Sequence, residues 1–170
     1  MFLSGDHPLN LPCPCGSQNN GKLLAQCCEP YLQGQLSAPT AEALMRSRYS
    51  AYCLKNIDYL LNTHHPTQHE SNSRRQIAAS ANGVTWLGLT IIFTEAGQPE
   101  DQTGVVEFVA RYQEGRYICQ LHERSRFLKE QGKWFYLDGE MLPPLEPKKN
   151  DPCWCNSGKK FKQCHGKKRG

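Results

Sequence analysis

Cys153-Trp154-Cys155, eight further residues, then Cys164-His165 place three thiols and one imidazole in a segment too short to hold a core of its own. Zinc takes four such ligands in a tetrahedron, with Zn–S near ~2.3 Å and Zn–N near ~2.0 Å. Cys153 and Cys155 stand two apart, so in extended chain both sulfurs leave the same face. Asn156-Ser157-Gly158 is turn chemistry, and Lys159 to Gln163 is long enough for about one helical turn. That turn returns Cys164 and His165 to the open side of the metal. Gly158 and Gly166 admit the positive φ such a knuckle needs, and Trp154 and Phe161 supply its apolar contact.

A second group stands near the other end: Cys13-Pro14-Cys15, then eleven residues, then Cys27-Cys28. Cys13-Pro14-Cys15-Gly16-Ser17 parallels Cys153-Trp154-Cys155-Asn156-Ser157, and Cys27-Cys28 parallels Cys164-His165. The spacing reads as one motif used twice, with a three-residue insertion in the first copy. Disulfides are the competing reading, and they need an oxidising compartment. The N-terminus has no basic region followed by an apolar run, so nothing in it reads as a secretory signal. The expectation is therefore a cytoplasmic chain whose closely spaced cysteines bind metal, with two zinc ions. For the N-terminal group a redox dithiol pair stays open as well. Four protein ligands per site leave no open coordination position, which argues against hydrolytic zinc; release of metal on oxidation remains available to such thiolates.

The 170 residues suit one ordinary domain with small appendages. Apolar content of 38% and charged content of 21% fit a globular protein, and no apolar run approaches the roughly 20 residues of a membrane-spanning helix. The net charge of +4 is unevenly placed. Residues 148–170 hold eight Lys and Arg against one acid, a charge of +7, so the preceding 147 residues carry −3. Gln33 to Pro39 reads as one linker and Leu142 to Lys149 as another. The prolines of the second predict a stiff extended spacer that holds the last knuckle away from the rest. The resulting division is 1–36, 37–142 and 143–170.

Within the middle part, Thr40 reads as a helix N-cap with Glu42 in the first turn. Leu44, Tyr52 and the Ile57, Leu60, Leu61 group recur near helical spacing, predicting one long helix over 40–62 that ends before His65-Pro66. A short helix is expected over 70–80. Strands are expected over 84–93, 104–112, 116–128 and 133–137, with tight turns at Gln113-Glu114-Gly115 and Glu130-Gln131-Gly132. Helices followed by an antiparallel meander make an α+β domain.

Period-two geometry puts Tyr117, Cys119, Leu121, Glu123, Ser125 and Phe127 on one face of the third strand, and His122, Arg124 and Arg126 on the other. Leu121 and Phe127 mark the first face as inward, which brings Glu123 inside. A buried carboxylate needs a partner, and Arg46, Arg48, Tyr49 or Tyr52 on the helix are the candidates. With Trp86 and Ser125 they form a candidate pocket. The same group has a plain structural reading, a buried ion pair that pins helix to sheet. His64, His65 and His69 surround a helix end, where solvated or capping histidines are common. Cys53 and Cys119 read as small buried hydrophobes.

The residues also carry two resemblances. Cys153-x-Cys155, Cys164-His165 and the intervening Ser-Gly-Lys-Lys-Phe-Lys resemble the SEC-C motif, the zinc-binding tail of the SecA translocation motor. Cys13-Pro14-Cys15-Gly16, Cys27-Cys28-x-Pro30-Tyr31, Leu44 to Tyr52, His65-Pro66 and His122 to Phe127 resemble the YchJ-like family of bacterial proteins. That resemblance implies a central nuclear-transport-factor-2-like domain, a cone of helices packed on a curved antiparallel sheet, between two zinc knuckles. It implies no particular reaction.

The functional expectation is a zinc-dependent binding or adaptor protein rather than an enzyme, with no catalytic residue to name. Lys148, Lys149, Lys159, Lys160, Lys162, Lys167, Lys168 and Arg169 make the tail attractive to polyanions, nucleic acid among them. The SEC-C resemblance implies a protein partner: a chaperone, the ribosome or the translocation machinery. The alternative is an enzyme or small-ligand binder that uses the central cavity, and fold alone does not decide for it.

Overall fold

The computed structural model describes residues 11–16, 21–153 and 157–167. Cys155, Lys168 and Arg169, together with Trp154, lie outside the described residues.

After a short N-terminal helix α1 (Glu29–Leu32), the predicted long helix is in fact two, α2 (Ala41–Leu54) and α3 (Ile57–Asn62). Thr40 caps α2 as expected, its Oγ1 accepting the Ala43 N–H at 3.0 Å. The helix stops because Lys55 turns left-handed, with φ 58°. Asn56 then caps the next helix, its Oδ1 accepting from Tyr59 N at 3.0 Å. Apolar spacing could not reveal the break, because both helices bury residues in one small cluster: Ala51 from α2 and Leu60 from α3, with Ile77. Ile77 belongs to α4 (Ser73–Asn82), which starts later than expected because Glu70 to Asn72 form a turn closed by Glu70 N–H to Ser73 Oγ at 2.8 Å.

Four strands follow as an antiparallel meander: β1 (Thr85–Ala96), β2 (Thr103–Glu114), β3 (Tyr117–Glu130) and β4 (Lys133–Met141). The β3–β4 hairpin turns on Gln131 and Gly132, with φ 49° and 78°, the two positive angles a two-residue turn of this hand requires. Register shifts in β1, between Trp86 and Gly88 and between Ile91 and Phe93, and one opposite Arg126/Phe127 bend the sheet. Helix α2 fills its concave side, where Leu44, Met45 and Tyr49 pack with Leu89, Val106, Phe108, Ala110, Phe127 and Trp134.

The first turn of α2 sits in a notch made by two glycines. Ala41 N–H donates to Gly97 O at 2.9 Å, and a Cβ on Gly104 would lie 2.7 Å from Gly97 Cα and 2.9 Å from Ala41 Cβ.

The segment after β4 corrects the expected free spacer. It runs along the outer face of the sheet and is held there. Leu142 N–H donates to His122 O at 2.8 Å. Arg111 and Gln120 donate to Leu145 O at 3.1 and 3.3 Å, and Leu145 N–H donates to Gln120 Oε1 at 3.1 Å. Proline stiffens this strap, yet its carbonyls remain acceptors, and β2 and β3 present donors to meet them. His122 does point outward, but the strap and Glu107 bury it to 8% exposure. Its Nδ1 faces Pro143 O at 2.6 Å and its Nε2 faces Glu107 Oε1 at 3.0 Å. The ring thus bridges the strap and Glu107 on β2. Glu107 is held below the usual carboxylate range, first by His122 and, against the opposing effect of burial, also by Arg124.

Gly104→Ala is expected to destabilise the fold by about 1–3 kcal/mol through overpacking, because neither a backbone nor an alanine Cβ can move aside; urea unfolding followed by circular dichroism measures it.

Candidate metal centres

The N-terminal group is built from a bridge and a tight turn. Pro12 pairs with Leu23, Cys13 N–H donates to Lys22 O at 2.9 Å, and Leu24 N–H donates to Leu11 O at 2.8 Å. Gly16 takes φ 59° at the turn. A 3-10 turn over Leu24–Gln26 then delivers Cys27 with φ −125° and ψ −92°. Cys28 follows directly as the cap of α1.

The C-terminal group repeats this construction. Pro152 pairs with Lys160, Cys153 N–H donates to Lys159 O at 2.8 Å, and Phe161 N–H donates to Asp151 O at 2.8 Å. A 3-10 turn over Phe161–Gln163 delivers Cys164 with φ −124° and ψ −103°. Cys27 and Cys164 are thus presented by the same backbone, and the three-residue insertion is absorbed before the turn. Gly158 has the expected positive φ, 72°. Gly166 is needed for a different reason: a Cβ there would meet the Phe161 ring at 2.7 Å.

The ligand atoms of Cys13, Cys15, Cys27 and Cys28 all lie within 4.8 Å of one another, and so do those of Cys153, Cys164 and His165. Sulfur separations of 3.4 Å (Cys13–Cys15), 3.5 Å (Cys15–Cys27) and 3.9 Å (Cys27–Cys28) bracket the edge of about 3.7 Å of a tetrahedron with Zn–S near ~2.3 Å. A disulfide would need about 2.05 Å, and none is formed among the described residues. At the second site His165 Nδ1 stands 3.2 Å from Cys153 Sγ and 3.3 Å from Cys164 Sγ. Ser157 Oγ donates to Cys164 Sγ at 3.6 Å. The donor sets suit a metal ion. In the first cluster the S–H groups of Cys15 and Cys28 push the Cys13 thiol far down, and the Cys13 thiolate in turn pushes Cys15 and Cys28 up. Such a nest of thiols competes for protons that a dication would displace.

Burial separates the two centres. Cys15 and Cys28 are 0% and 2% exposed and sit under α2. Cys13 Sγ is 3.6 Å from Ser50 Oγ, and Arg46 Nη1 donates to Cys15 O at 3.1 Å while its Nε holds Glu42 at 2.8 Å. Around the second centre, His165 is exposed, as are Lys148, Lys149, Lys159, Lys160, Lys162 and Lys167.

The candidate pocket residues divide. Arg48, Tyr49, Tyr52, Trp86 and Glu123 line one cavity of about 310 Å³. Arg46 serves the N-terminal cluster instead. Ser125 is wholly buried and donates to Glu123 Oε1 at 2.7 Å. The expected helix partner for Glu123 is corrected: its second donor is Tyr136, whose hydroxyl reaches Oε1 at 2.9 Å, and no ion pair joins Glu123 to either arginine among the described residues. Arg48 donates through Nη1 to Leu60 O at 2.8 Å and to Thr63 Oγ1 at 2.7 Å, and its guanidinium lies 4.8 Å from the Tyr136 ring centroid. Tyr136 went unnoticed in the sequence because the register shift opposite Phe127, which sets where β4 side chains fall, leaves no local signature. Of the three clustered histidines, His64 also lines the cavity, with its ring 5.2 Å from that of Tyr136. Burial, and then the Arg48 charge, lower its pKa from 6.5 to about 4. His65 is buried, its Nδ1 bonded to Thr67, and His69 Nε2 bonds His64 O at 3.0 Å.

The family pattern described as the YchJ middle NTF2-like domain matches residues 40–139, and the SEC-C motif matches residues 150–167. Two solved structures are similar. One, a solution structure of a SEC-C motif containing protein from Rhodopseudomonas palustris, has a TM-score of 0.67 and 34% identity, covering 78% of this chain and 100% of that one. The other, a crystal structure of a SEC-C motif containing protein from Psychrobacter arcticus, has a TM-score of 0.66 and 29% identity, covering 94% of this chain and 98% of that one. No helix among the described residues is long and apolar enough to cross a membrane.

The lowered His64 pKa fixes a sign. Between pH 6.5 and about 4 the unfolded chain binds a proton that the folded site refuses, so stability falls as pH falls through that window. His64→Phe keeps a ring beside Tyr136 and is expected to lose less stability than the native chain between pH 7 and pH 4.5, read from urea midpoints at both pH values.

Proposed function

This chain belongs to the YchJ middle NTF2-like domain family, and on that premise we propose that it is a zinc-dependent docking protein whose two metal centres do different work. Zinc is the ion that S₄ and S₃N donor sets of this spacing suit best in a thiol-reducing compartment. Cys13, Cys15, Cys27 and Cys28 hold the first ion; Cys153, Cys164 and His165, with Cys155 read from the sequence, hold the second. The N-terminal ion staples Leu11 to Leu32 onto α2. The C-terminal ion folds a segment that has no core, so its binding energy is folding energy, and it sets out a basic surface toward a protein or polyanionic partner. A SEC-C motif favours a protein partner with an acidic face.

The observation that carries this reading is the contrast in burial between two centres of the same backbone design: three of four sulfurs buried against α2 at one, and at the other a buried Cys153 beside a half-buried Cys164 and an exposed His165 in a lysine-rich segment.

Protein purified under reducing conditions is expected to carry two zinc ions per chain by elemental analysis. Cys28→Ser should reduce this to one and lower the unfolding midpoint of the central domain by several degrees. Cys164→Ser should also reduce it to one yet leave that midpoint in place. Equal midpoints in both variants, or metal-free reduced protein with native stability, contradict the division of labour.

The basic surface has its own test. Exchanging Lys159, Lys160 and Lys162 for Gln in the full chain should weaken capture of an acidic partner or RNA at least tenfold, and raising salt should weaken native capture steeply. Capture indifferent to both changes counts against the C-terminal surface.

A further inference from the structure

The cavity between α2, α4 and the concave sheet face is about 310 Å³, within the range of small-molecule sites. Its walls are apolar and aromatic, with Tyr49, Tyr52, Trp86 and Phe108 prominent, and its floor carries one buried cation and one buried anion.

These two charges balance without touching. Tyr136 stands between them, its ring beneath Arg48 and its hydroxyl on Glu123. Glu123 spends only Oε1 on protein donors, Ser125 and Tyr136, and no described residue hydrogen-bonds Oε2. Arg48 spends only Nη1, on Leu60 and Thr63, and no described residue accepts from its Nη2 or Nε. Two further polar groups are in the wall: Trp86 Nε1 and His64 Nδ1 are buried without a hydrogen-bond partner. Those two atoms cost free energy unless something pairs with them. The place for the carboxylate is also reserved by the sequence, since a Cβ on Gly139 would lie 2.0 Å from Glu123 Oε1.

The cavity thus presents the Glu123 acceptor, the Arg48 and Trp86 donors and one imidazole nitrogen of His64 among aromatic walls. An anion on Arg48 would leave Glu123 uncompensated in a poorly polarisable site, and a cation on Glu123 would do the same to Arg48. A ligand that satisfies both is uncharged and carries its own donor and acceptor side by side. An apolar cavity of about 150 Å³ takes benzene, so one about twice as large takes two fused rings.

We infer that this cavity is a binding site for a small, flat, uncharged aromatic molecule bearing an adjacent N–H or O–H and carbonyl, the donor meeting Glu123 Oε2 and the carbonyl meeting the free N–H groups of Arg48 or Trp86. The site is independent of the metal centres and of any partner they dock.

The test uses full-length, metal-loaded protein and 2-quinolinone, a two-ring lactam, with naphthalene-2-carboxylate and 2-naphthylmethylammonium as charged counterparts. The indole N–H resonance of Trp86, assigned with Trp86→Phe, reports binding. Saturable movement with 2-quinolinone is expected, with both charged compounds at least tenfold weaker. Glu123→Gln should weaken the lactam at least tenfold. Leu121→Trp, which fills the cavity without touching its polar floor, should abolish binding while retaining two metal ions per chain, and it decides the matter if Glu123→Gln fails to fold. No saturable movement up to about 1 mM, the threshold of about −4 kcal/mol, overturns the inference. So does a charged compound that binds as tightly, or unaltered binding in a folded Leu121→Trp protein.

Discussion

Helix α2 is buried on nearly every side, and the rest of the molecule is arranged around satisfying it. Leu44, Met45 and Tyr49 face the sheet. Arg46 and Ser50 face the sulfur cluster. Arg48, enclosed by protein, reaches the C-terminal end of α3, where helix carbonyls lack intrahelical partners and favour a cation. A helix so enclosed reaches solvent mainly at its ends, at Glu42 and Leu54, and therefore shows little amphipathic signal. Its stability depends on several different partners rather than on one apolar stripe.

This arrangement gives the N-terminal metal site a meaning that a free-standing knuckle lacks. Cys13, Cys15 and Cys28 belong to the same core cluster as Leu44 and Tyr49, so the ion that the cluster suits would tie a segment with little apolar mass to the main helix. The C-terminal group uses the same bridge, the same 3-10 turn and the same cysteine backbone, but it follows the strap rather than packing under α2. One local design is placed once against the core and once in a segment with an exposed imidazole and exposed lysines.

The strap also explains the burial pattern of β2. Val106 through Ala110 are all buried, although a sheet with one wet face would alternate. Glu107 and Val109 point away from α2, but β2 is a central strand, and His122, Arg124 and the strap cover its outer side. The His122 ring, set between Glu107 Oε1 and Pro143 O, anchors the strap.

The sequence alone was enough to read the convergence of Cys13, Cys15, Cys27 and Cys28 and of Cys153, Cys164 and His165, the four-strand meander, the Thr40 cap and the inward face of β3 with Glu123 on it. Each of these depends on spacing within a few residues: ligand geometry, turn chemistry, and the period of two. What neighbours decide was not readable. The Tyr136 donor to Glu123, the diversion of Arg46 to Cys15, and the docking of the proline segment on Arg111 and Gln120 all join residues distant in sequence or hinge on a register shift. Short-range order is written in residue types because it is governed by local sterics and valence. Which charge meets which hydroxyl, and whether a cysteine cluster is sealed or exposed, depends on surfaces that exist only once the chain has packed.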